Sequence, residues 1–249
     1  MKHRDRRIKS VGDVIDALRS QTKKTDLVWF RGQARSSWTL VPSLGRKSMR
    51  LDAELALIKR FKQNALPHLT QRPQTEWEWL FLMQHHRLPT RLLDWTESPL
   101  AALCFAVEYN KKHENHDAAI WCLVPTDLNR HANVVYPFET EVPAFDHDPI
   151  LESYRPSRIA SESTSQLFPV AAIASRNSPR IVAQQGTFTI THRKMTCIES
   201  VGNALHVWRL IIPWRSKAKI REELRLLHFT DLTLFPELDK VAIEALRII

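Results

Sequence analysis

The chain has 249 residues, 43% of them hydrophobic and 25% charged, ordinary proportions that exclude wholesale disorder, a collagen repeat and a disulfide scaffold. Lys and Arg number 36 against 27 Asp and Glu, a formal charge of +9 that draws polyanions such as nucleic acid, nucleotides or acidic membrane surfaces. Only five glycines occur, at 12, 32, 45, 186 and 202, which excludes a Walker A loop and a GxGxxG dinucleotide turn, since both need clustered glycines to bring backbone N–H groups to phosphate.

In chain order, a basic N-terminal segment over 1–9 carries Lys2-His3-Arg4 and Arg6-Arg7, and the remainder, 10–249, is expected to be one domain. Ser10 caps a predicted helix to Gln21, with Val11, Val14, Ile15 and Leu18 on one face. Leu27 to Arg31 reads as a strand ended by Gly32. A helix is predicted over Leu51–Ala65, and another from Thr75, where Thr75 and Glu78 form a capping box. Leu88 to Trp95 reads as loop, then short strand. Ser98-Pro99 starts a helix to Lys111 that is apolar nearly all round and therefore buried.

Ala118 to Val124 is a core strand. The six prolines between 137 and 180 predict a long irregular region, with strands returning at Arg180–Thr191 and Leu205–Ile212. Ser216 caps a helix to Leu227, Thr230 to Phe235 forms a turn, and Pro236 opens a terminal helix. The fold expected is α+β, with mixed or antiparallel strands packed against helices. No apolar run approaches the roughly 18 residues needed to cross a bilayer. With Cys104, Cys122 and Cys197 far apart, buried thiols in a soluble, cytoplasmic protein are expected.

Metal motifs are absent: there is no HExxH helix, and no metal is expected. Three polar clusters stand out. In Trp29-Phe30-Arg31-Gly32-Gln33, followed by Trp38, an arginine at a strand end offers a donor fork to carboxylate or phosphate, or orders the strand through Asp94 or Glu97. Gln84 to Thr96 packs amide, imidazole, guanidinium, hydroxyl, carboxylate and indole groups ahead of an apolar helix, as a binding site or a network holding a loop. In Gln184-Gln185-Gly186, a glycine within a strand marks close approach of a ligand or backbone, or a bulge.

Together these clusters resemble the FRG-domain family, through Phe30-Arg31-Gly32, Gln84-His85, the eight residues Pro89 to Thr96, Ser98 to Ala106, Arg180 with Gln184 to Phe188, and Leu234 to Asp239. His86-Arg87 stands where the family has an aromatic residue and glycine, and Lys240 where it has glycine. The family resemblance implies a bacterial or phage toxin or defence component. The order of elements is also similar to the ADP-ribosyltransferase layout, which implies NAD as cofactor. In that reading Arg31 clamps the pyrophosphate, and Gln33, Gln84, His85 and Arg91 complete the cofactor site, with the hydroxyl from Thr90 or Thr96. Gln184 or Gln185 takes the later-strand position and Asp94 is a catalytic carboxylate. Ser163-Thr164-Ser165 resembles that superfamily's hydroxyl motif. The alternatives are a nucleic-acid-binding module, drawn from the +9 charge, and a non-catalytic interaction domain. Oligomeric state, and whether Glu97, Glu162 or Glu199 reaches the site, are left open by the sequence.

Overall fold

Among the described residues, alternating side chains and β-branched runs build seven strands, which helices cover according to their apolar faces. The computed structural model describes residues 3–22, 26–49, 51–108, 110–136, 140–161, 166–176 and 178–246. Lys2, Glu162 and Ser163-Thr164-Ser165 lie outside them. The elements in order are β1 (Arg6–Arg7), α1 (Val11–Gln21), β2 (Trp29–Gln33), α2 (Ser43–Arg46), α3 (Leu51–Ala65), α4 (Glu76–His85), β3 (Leu92–Thr96), α5 (Pro99–Val107), β4 (Ala118–Leu123) and α6 (Pro125–His131). There follow α7 (Pro156–Ser161), β5 (Val170–Ala172), α8 (Pro179–Gln184), β6 (Gly186–Ile190), β7 (Val207–Ile212), α9 (Lys217–Leu226), α10 (Asp231–Leu234) and α11 (Leu238–Leu246). The architecture is α+β on one sheet of order β1-β7-β4-β2-β3-β6-β5, antiparallel throughout except for the parallel pair β1–β7.

Strand alternation sorts the core into three parts. On one face, Phe30, Ile120, Cys122 and Leu210 pack against α5, α1 and α9. Farther along that face, Leu92, Phe188 and Ile190 pack against α4 and Ile58 of α3. The other face buries Trp29, Leu93, Trp95, Trp121 and Leu123.

The central junction is unequal. β2 pairs with β4 at five positions, and β3 with β6 at five, but β2 meets β3 at Phe30–Thr96 alone. Beyond that pair the sheet opens into a fork. Gly32 allows α5 to sit close beside it, because a Cβ there would lie 1.9 Å from the Ala102 carbonyl oxygen.

Several expectations need correction. Arg180–Thr191 is not one strand: Ser178 accepts from the Ile181 N–H, Pro179 follows at the first helical position, and α8 runs to Gln184. Gln185 ends it in the left-handed region at φ 46°, so the strand begins only at Gly186. Gly186 marks neither bulge nor close approach, since the β3–β6 register is continuous and an added Cβ would meet nothing nearer than 3.6 Å. Helix α5 stops at Val107, whose carbonyl accepts from Arg221 instead of continuing the ladder. The irregular region contributes the edge strand β5, and Arg6-Arg7, expected ahead of the domain, pair with Leu210 and Ile211 while Ile8 is fully buried.

Candidate functional site

A cleft of about 1510 Å³ occupies the fork. Its floor comes from β2, β3 and β6; its walls come from α2, α4, α8 and the loops after β2 and α5. Six lysines and arginines (Arg31, Arg46, Lys47, Arg72, Arg87 and Arg180) line it among the described residues, against the carboxylates Glu78, Asp94 and Glu108. The field inside therefore favours an anion.

Arg31 stands where β2 and β3 part. Its Nη1 donates to the Asp94 backbone carbonyl at 2.6 Å, on the side of β3 that faces β2, and lies 3.7 Å from Asp94 Oδ2. Its Nε is buried without a hydrogen-bond partner among the described residues. Burial lowers the guanidinium pKa first, with Asp94 opposing it and Arg46 adding to it, yet a group with so high a starting value stays charged. The result is a fixed cation with unused donor capacity.

Asp94 is half exposed, 54% for its side chain, and its Oδ2 accepts from Gln84 Nε2 at 2.8 Å. Gln84 Oε1 accepts from the hydroxyl of buried Thr90, which in turn accepts from the Leu92 N–H at 3.2 Å. This chain of bonds aims the carboxylate and leaves Asp94 Oδ1 without a protein donor among the described residues. Gln84 and Thr90 thus hold Asp94; Thr90 is too deep to reach a ligand. His85 lines the cleft, and burial, then Arg180 and His86, hold its pKa below the usual imidazole value.

The other sequence candidates divide. Gln33 lines the cleft, but its Oε1 accepts from Trp121 Nε1 at 2.9 Å and its side chain is nearly buried. Thr96 donates to the Gln184 carbonyl at 2.6 Å and accepts from the Ser98 N–H, so its hydroxyl ties β3 to α8 and starts α5. Gln184 lines the cleft with its Nε2 donated to the Leu234 carbonyl. Neither glutamine occupies the later-strand position expected: one ends a helix, the other is the turn beyond it, outside the cleft lining, with its carbonyl accepting from Glu97.

Arg91 is removed from the site altogether. It is wholly buried, its Nε donating to Glu54 Oε2 at 2.6 Å, its Nη1 to the Thr191 carbonyl and its Nη2 to the Tyr154 carbonyl. Of the carboxylates left open, Glu97 pairs with Arg176 and Glu199 accepts from the Leu40 N–H, both outside the cleft lining. Sequence reading missed Arg46, at the end of the short helix α2, and Asn110 and His113, in the loop after α5, segments too short or irregular to carry a periodic signal. Among the described residues no group of three or more His, Cys, Asp or Glu could hold a metal ion. No helix among them is long and apolar enough to cross a membrane.

Residues 26–115 match the family model of the FRG domain, a stretch that contains β2, β3, α5 and most of the cleft's polar floor. No curated protein and no solved structure matches the chain.

Proposed function

We propose that this chain, which carries an FRG domain over residues 26–115, binds a pyrophosphate-containing nucleotide of the NAD class in the fork of its sheet. The observation that carries the reading is Arg31: a charged fork at the split whose Nη1 is held by the Asp94 carbonyl and whose Nη2 donors have no partner among the described residues, beside an outward-facing carboxylate. A guanidinium so placed suits bidentate phosphate bonds. The volume supports a ligand of two linked moieties, since it exceeds the ~300–1,000 Å³ of ordinary small-molecule pockets. The cationic lining supports its charge, and the absence of glycine-rich turns fits a site where side chains, not loop amides, hold phosphate.

The chemistry proposed is ADP-ribosyl transfer. The bond from ribose C1′ to the nicotinamide nitrogen breaks, nicotinamide leaves with the electron pair, and an acceptor's lone pair forms the new bond to C1′. Positive charge grows on the ribose in the transition state, where a fixed carboxylate stabilises it. Asp94 supplies that charge from the floor, a role an amide cannot fill, and Gln84 keeps it oriented. An effector role in toxicity or defence follows only from the family resemblance.

The test is heat stability with and without NAD. At a hundred times the dissociation constant, bound ligand adds about 2.7 kcal/mol, raising Tm by roughly 5–10 °C for a chain of this size. Millimolar NAD and ADP-ribose that leave Tm unmoved would overturn the reading. Oligonucleotide binding that weakens steeply with salt, with no response to NAD, would favour the nucleic-acid alternative instead.

A further inference from the structure

Lys217 is 1% exposed, and no carboxylate lies within ion-pairing distance of it among the described residues. Burying a cation costs several kcal/mol unless the surroundings compensate. Here burial pushes the ammonium below its usual pKa, and two carbonyl oxygens receive it: Ala34 at 3.1 Å and His113 at 2.9 Å. Those carbonyls belong to two different loops, one leaving β2 and the other entering β4. Arg35 Nε donates to His113 Nδ1 at 3.1 Å and joins the same two loops again.

What the paired loops present to the cleft is aromatic. Trp38, 41% exposed overall, lines the cleft, its indole meeting the His113 ring edge to face with centroids 5.0 Å apart. A large apolar ring left open to solvent on a wall cross-braced by a buried ammonium is a rigid surface without a protein partner for its free side among the described residues. Rigidity matters, because a preformed aromatic surface loses little entropy when a flat ring settles on it.

We propose that Trp38, steadied by His113, is a stacking shelf for a base ring of the nucleotide, and that Lys217 is the positioning residue that fixes it. The inference rests on the nucleotide reading above. The ring is a planar heteroaromatic, nicotinamide or adenine, and it lies on the side of the fork away from α8.

The experiment measures dissociation constants by calorimetry for NAD, nicotinamide mononucleotide, AMP and inorganic pyrophosphate on wild type and variants. Trp38→Ala is expected to weaken NAD about tenfold and leave pyrophosphate unchanged, and Trp38→Phe to restore most of the loss. Whichever mononucleotide weakens with NAD identifies the ring. Lys217→Met, checked for folding by circular dichroism, is expected to repeat the Trp38→Ala pattern, a selectivity that general destabilisation does not produce. Loss shared equally by NAD and pyrophosphate, or NAD binding that Trp38→Ala leaves intact, overturns the shelf while the nucleotide reading stands. A wild type with no affinity for NAD overturns both.

Discussion

Two arginines at the central strands of the sheet have opposite fates. Arg91, one residue before β3, is enclosed with Glu54, which takes both its Nε and its backbone N–H, while two backbone carbonyls take the terminal nitrogens. Arg31, within β2, has a carbonyl at 2.6 Å, a carboxylate oxygen at a looser 3.7 Å, and a buried Nε without a partner among the described residues. The same side chain is cement in one place and an open grip in the other. The difference lies in what opposes it: α3 delivers a buried carboxylate to Arg91, whereas the opening between β2 and β3 delivers only a strand's spare carbonyl and a carboxylate turned toward the cleft.

The comparison can be broken from either side. The largest effect is expected for Glu54→Gln, which leaves Arg91 charged and uncompensated in the core; urea unfolding should show a loss of about 3–5 kcal/mol. An unchanged midpoint would mean that the enclosed pair is not structural cement. Gly32→Ala comes next. Its methyl group would collide with the Ala102 carbonyl, so α5 must shift, at a cost of about 3 kcal/mol in the same assay. A fully stable alanine variant would show that the helix beside the fork is adjustable.

Arg31→Met sharpens the contrast, because its main cost should fall on ligand binding. Loss of a charged hydrogen-bonding partner is worth about 1.5–3 kcal/mol, on the order of tenfold to a hundredfold in the NAD dissociation constant, with urea stability changed by less than Glu54→Gln changes it. Equal damage to stability from both substitutions would make Arg31 a second cementing arginine.

The smallest effect concerns pH. His206 is 1% exposed, its Nε2 2.9 Å from the Ile198 carbonyl, and burial lowers its pKa below the usual 6.5. The unfolded chain therefore takes up a proton more readily than the native one. The neutral imidazole's contribution is complete above that ordinary value and is lost as pH falls below it, toward the lowered native value. Urea midpoints at pH 7.5 and 5.5 should differ less in His206→Gln than in wild type; an identical difference would assign the pH dependence elsewhere.

Much of the frame could be read from local pattern. Ser10, Thr75 and Ser98-Pro99 announced helix starts that the caps of α1, α4 and α5 confirm, because a capping hydroxyl acts within three residues. The same Ser-Pro pair at Ser178-Pro179 starts α8, just ahead of and within the strand-like residues that predict a strand over Arg180–Thr191. For the site, Arg31, Asp94, Gln84 and Gln184 do converge on one cleft, while Arg91 and Gln185 do not. Composition gave no means to separate them, since partner and burial are set by segments as distant as α3 and the turn after α8.

By itself, the sequence determined the α+β class, most helix starts and the buried apolar helix α5. These depend on neighbours a few residues apart and on side-chain periodicity. Only the tertiary structure decided that β2 and β3 part after a single pair, which arginine is enclosed, and which wall holds Trp38. Those outcomes depend on contacts between residues up to 183 positions apart, such as Lys217 with Ala34, which become definite only when the whole core has packed.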